Sequence, residues 1–161
     1  RFVAAKNPQI EVAIRKLINE LEGDKTTIVH GDFSPKNIMV AMNDDVYILD
    51  FEVTHVGNPV FDIAFLVAHL LCKFFRTEDR LQVKLLANTA NIFINEYEKL
   101  RVISPSVAKH AALIALARVE GKSPVNYLSA DQQKRLQSFT KSVLADKSDF
   151  SVAGLFEISA K

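Results

Sequence analysis

Apolar residues recur along this chain with two different periods, and the change between them marks out its elements. Ile10, Ala13, Ile14, Leu17, Ile18 and Leu21 fall at helical spacing. They predict an amphipathic helix over 8–22, with Asn7 as N-cap, Pro8 in the first turn and Gly23 as terminator. Two short apolar runs follow, Ile28-Val29 and Ile38-Met39-Val40, separated by Gly31, Ser34 and Pro35. They read as a strand entering a tight loop and a strand leaving it. "NIMVAMNDDVYILDF" then predicts strand, turn and strand, with Asn43-Asp44-Asp45 at the reversal and Asp50 at the end of the second arm.

After "GNP" (57–59) the period is helical, over 60–75, 78–99, 105–119, 130–146 and a shorter stretch near 152–159. Gly121 and Pro124 interrupt the pattern and predict a structured connection at 120–129. The run "VFDIAFLVAHLLCKFF" is apolar on every side, as a buried helix is. It is too short to span a bilayer, which takes about 20 apolar residues, and it contains Asp62 and Lys73.

At 161 residues the chain has the length of one domain, 1–161. With 48% hydrophobic and 24% charged residues it has the composition of an ordinary globular protein. A net charge of +1 gives no basic footprint, so nucleic acid is not an expected partner, and neither is a membrane. The one cysteine, Cys72, forms no internal disulfide, and "RFVAAKNPQIEVAIRKL" lacks the apolar core of a secretory signal. Both point to a cytoplasmic setting.

Chemistry concentrates in "VHGDFSPKNIMV" (29–40) and "ILDFE" (48–52). Asp32 and Asn37 share a loop supported by a strand at each end, and the hairpin carries Asp50 toward them. Two carboxylates and an amide oxygen are hard ligands. Magnesium takes one or two protein carboxylates and leaves its other positions to water and phosphate. Asn37 and Asp50 suit that role, which frees Asp32 to act as a general base on a substrate hydroxyl.

His30-Gly31-Asp32 followed by Asn37 resembles the catalytic loop H-G-D-x-x-x-x-N of the aminoglycoside phosphotransferase and choline kinase family, relatives of the protein kinases. "ILDFE" resembles the metal-binding D-F-G segment, with Glu52 in the glycine position. "GNPVFDIAFLVAHLL" (57–71) resembles the block whose aspartate, here Asp62, braces the catalytic loop. Together these motifs cover about 27–75.

The resemblance implies an α+β, mainly α fold: a protein-kinase-like C-lobe with a small β-hairpin carrying the two loops. It implies ATP and Mg²⁺ as cofactors, Asp32 as catalytic base, Asn37 and Asp50 on the metal, and His30 as a support. Lys36 is a candidate phosphate contact, against the plainer reading of a solvated lysine. Glu52 is either near the metal shell or a cap. The partners implied are a small-molecule hydroxyl acceptor and an N-lobe bearing a glycine loop. None of the five glycines forms a G-x-G pair, so that lobe is expected to be missing from this chain, which would then be a fragment inactive alone. The alternative is a non-catalytic remnant used for binding or regulation.

Other polar residues read as structure. His69 reads as a core histidine, and His55 and His110 lack zinc-site partners. Arg118, on an apolar helix, needs a partner if buried, with Glu120 or a loop aspartate as candidates. This stretch resembles a segment that closes the substrate side in some family members, and that resemblance makes Arg118, Glu120 and Lys122 possible substrate contacts. Dispersed tyrosines and the absence of tryptophan disfavour an aromatic cage for choline. Acids that alternate with bases disfavour a docking surface for a polycation.

Overall fold

A computed structural model describes residues 2–157. Helices α1 (Phe2–Lys6), α2 (Glu11–Gly23), α3 (Val60–Arg76), α4 (Arg80–Glu98), α5 (Val107–Glu120), α6 (Ala130–Ala145) and α7 (Val152–Glu157) form the body. Strands β1 (Thr27–Val29), β2 (Ile38–Val40), β3 (Val46–Ile48) and β4 (His55–Gly57) lie together in the chain between α2 and α3. The fold is mainly helical with a small antiparallel component, as the sequence pattern implies. The last two residues of the expected 152–159 helix lie outside the described residues.

The core is built around α3. Its apolar residues face every direction, so neighbours must cover it on all sides. Ala64, Val67, Ala68, Leu71 and Cys72 are fully buried. Helix α5 packs against it through Ala108, Ala111, Ala112 and Ala115, also fully buried. Such small side chains let two helix backbones approach closely. Asn58 begins α3, its Oδ1 accepting from Val60 N at 3.0 Å while its Nδ2 reaches Glu20 O on α2. The carboxylate of Asp79 caps α4 by accepting from Leu81 N and Gln82 N, and a Ser129–Gln132 capping box starts α6.

Three details differ from the expected layout. Pro8–Ile10 is a 3₁₀ turn leading into α2, and Asn7 does not cap it. The buried Asn7 side chain donates instead to Val3 O at 2.9 Å and to Glu120 Oε2 at 2.6 Å, joining the chain's start to the end of α5. The strands also form two hairpin-like pairs, not one. β2 pairs with β3 in the expected register, Ile38 opposite Ile48, and β1 pairs with β4, Val29 opposite His55. β4 carries only three residues in a polar context, and its partner is distant in sequence. No local periodicity announces it.

Candidate active site

Asp62 in the first turn of α3 anchors the loop. Its Oδ2 accepts from His30 N at 2.6 Å and its Oδ1 from Gly31 N at 2.9 Å. Two consecutive backbone donors thus end on one carboxylate. Gly31 has φ +83°, and a Cβ there would lie 2.7 Å from Val53 O. Glycine is required both by the left-handed backbone and by the close approach of the segment after Asp50.

His30 supports the loop and does not point into open space. Its Nδ1 accepts from Asp32 N at 3.2 Å, so its Nε2 carries the hydrogen and donates to Leu49 O at 2.8 Å. Its ring rests against Phe51, with 4.9 Å between centroids. Through this one buried side chain the Asp32 backbone is tied to the residue before Asp50. A second tie runs from Leu49 N to Asn37 O at 2.9 Å.

Asp32 receives two side chains on one oxygen. Asn37 Nδ2 donates to Oδ2 at 3.0 Å, and also to Asp32 O at 2.9 Å. Lys36 Nζ lies 2.8 Å from the same Oδ2. Burial pulls the Asp32 carboxyl up, but the hydrogen bonds from Lys36 and Asn37 outweigh it and hold the group below the usual carboxylate range. Asp32 is therefore ionised at neutral pH and able to accept a proton. The plainer reading of Lys36 as only solvated is corrected: its exposed stem ends on the Asp32 carboxylate.

Asn37 is buried and spends its Nδ2 on Asp32, which leaves its Oδ1 as the atom able to face a cation. Asp50 is exposed and has φ +68°. That left-handed conformation is uncommon for a residue with a side chain and concentrates at functional positions. Among the described residues no three His, Cys, Asp or Glu side chains gather as a metal cluster. The donors that Asn37 and Asp50 offer, one amide oxygen and one accessible carboxylate, match magnesium's preference for few protein ligands. Glu52 is exposed and makes no capping hydrogen bond among the described residues.

The sequence of the chain matches the phosphotransferase enzyme family over residues 3–103. The chain belongs to that family. The match takes in the His30–Asn37 loop, Asp50 and Asp62, and ends before α5. No curated protein matches the chain significantly.

One pairing expected at the end of α5 is not made. Glu120 does not neutralise Arg118: its carboxylate is held by Lys141 Nζ at 2.6 Å and by Asn7. Lys122 is exposed on the connection beyond. His69 is buried as expected, with its ring stacked on Phe65 at 4.9 Å. Burial, and then the Arg118 charge, push its pKa down to about 4. His110 is also buried and lies 3.3 Å from Glu20 Oε2, a contact without hydrogen-bond alignment. No helix among the described residues is long and apolar enough to cross a membrane.

Proposed function

We propose that this chain is the helical, kinase-like C-lobe of an ATP-dependent phosphotransferase that phosphorylates a hydroxyl of a small molecule. The observation that carries the reading is the state of Asp32: ionised, oriented by Asn37, and fixed to the Asp50 arm through His30. A base so held takes the proton from the acceptor hydroxyl as its oxygen bonds to the γ-phosphorus and the bond to the ADP oxygen breaks.

Asn37 and Asp50 would hold magnesium, which when bound would neutralise charge on the triphosphate. Lys36 would help to place a phosphate oxygen by moving off Asp32. Such a reaction belongs in the cytoplasm, where ATP is abundant. The strand region supports a second lobe as partner. Met39, Val40, Met42, Tyr47, Phe51 and Val56 are all exposed there, an apolar surface of the kind that marks a binding or docking face. Adenine and a strand-rich N-lobe would cover it.

The test is Asp32→Asn in the full-length protein. Loss of a general base costs about 10²–10⁴ in rate, so ATP turnover should fall by at least a hundredfold with the melting temperature within a few degrees. Turnover within tenfold of the parent would remove Asp32 from this role.

A further inference from the structure

Beyond the base, along α3, lies a group of polar side chains that the phosphotransfer chemistry does not use. Arg118 enters from the last turn of α5. Its Nε is buried and donates to nothing, and no carboxylate pairs with its guanidinium among the described residues. Tyr127 stands beside it, its buried hydroxyl having only the Cys72 thiol, a weak partner, alongside. Two more cations converge on the Tyr127 ring: Lys73 Nζ lies 5.8 Å and Arg76 Cζ 5.5 Å from its centroid. Neither is in an ion pair among the described residues. His69, one α3 turn before Lys73, is buried with its Nε2 unpartnered. Asp62, His69, Lys73 and Arg76 stand seven, four and three residues apart on α3 and so follow one face of the helix, from the anchor of the His30–Gly31 loop to Tyr127.

The acids nearby do not balance these charges. Asp32 is taken by Lys36 and Asn37, and Glu120 by Lys141 and Asn7. Glu78 lines a cavity of about 570 Å³ with Lys73 and Arg76, yet pairs with neither. A buried guanidinium N–H without an acceptor is costly. Arginine is the side chain best shaped to grip a carboxylate or phosphate. A polycationic acceptor would meet repulsion here.

We propose that the Arg118 side of the site binds an anionic group, a carboxylate or a phosphate, carried by the molecule whose hydroxyl Asp32 deprotonates. This rests on the phosphotransferase reading and narrows its substrate class to hydroxylated acids or phosphorylated alcohols. Arg118 is the principal contact, and Lys73 and Arg76 raise the local positive potential.

The experiment follows the Arg118 Nε–H resonance by NMR while inorganic phosphate, sodium acetate or choline chloride is added to the protein. Phosphate or acetate should shift that resonance saturably and choline should not; the tighter of the two anions identifies the group. Arg118→Met, which keeps an apolar stem, should bind that anion at least tenfold more weakly. The titration of the parent protein needs no variant, so a misfolded Arg118→Met leaves the outcome readable. An Arg118 resonance unmoved by both anions overturns the proposal. Slow ATP hydrolysis by the full-length protein, with and without Asp32→Asn, separates the two readings. Hydrolysis lost in the variant with Arg118 silent refutes the anion site alone. Hydrolysis retained in the variant with Arg118 responding refutes the anion's assignment to a phosphoryl acceptor.

Discussion

Replacing Asp62 with alanine should loosen the His30–Asn37 loop without altering Asp32, Asn37 or Asp50 themselves. The side chain accepts two backbone hydrogen bonds, from His30 N at 2.6 Å and Gly31 N at 2.9 Å. Hydrogen bonds to a charged group contribute about 1.5–3 kcal/mol each. Asp62 is only partly buried, so water can replace part of what is lost, and the low end of that range applies: about 3 kcal/mol for the pair. For a protein of this size each kcal/mol moves the melting temperature by roughly 2–4 °C. A fall of roughly 6–12 °C should appear in a thermal melt followed by circular dichroism. Asp62→Asn keeps one acceptor oxygen but turns an amide donor toward the other N–H, so it should fall between parent and alanine. Hydrogen exchange localises the effect. The His30 and Gly31 amides should lose protection, while those of the α3–α5 core, such as Leu71 and Leu116, keep theirs at temperatures well below the melt. A variant melting within 2 °C of the parent, with both loop amides still protected, would refute the bracing role.

Two further predictions concern charge. Lys36→Met removes one of the two donors that keep Asp32 ionised, so the carboxyl should titrate at higher pH, as read by ¹³C-carboxylate NMR, with stability changed by no more than about 1 kcal/mol because the Lys36 end of the pair is exposed. An Asp32 titration that does not move would leave Lys36 a role on phosphate alone. His69, with its pKa pushed down to about 4 from 6.5, stays neutral in the folded protein where the unfolded chain is protonated. The unfolded state then binds more protons between those values, so stability rises with pH across pH 4 to 6.5 and is lost on acidification. The 2.5-unit gap corresponds to about 3 kcal/mol. His69→Gln should remove most of that dependence in urea melts run at pH 4 and pH 7, and an unchanged difference between the two pH values would assign the acid sensitivity to other groups.

The sequence by itself determined most of the elements and where the candidate groups lie along them. Helical spacing reports which side of a segment is buried, and that information is local. The face of α2, the apolar circumference of α3 and the reversal at Asn43–Asp45 were therefore legible. So was the placement of Asp32 and Asn37 on one loop beside the arm that ends at Asp50, because their short separation along a loop and hairpin confines them to one region.

Tertiary structure decided the partners. Lys36 sits on Asp32, Asn7 and Lys141 take Glu120 from Arg118, and β4 pairs across the loop to β1. Each is a choice among several partners of similar chemistry, settled by distances that follow from packing distant segments together. Glu120 illustrates the point, since it lies two residues from Arg118 in sequence. Residues two apart on a helix point to different sides, so the carboxylate turned toward α6 and away from the guanidinium.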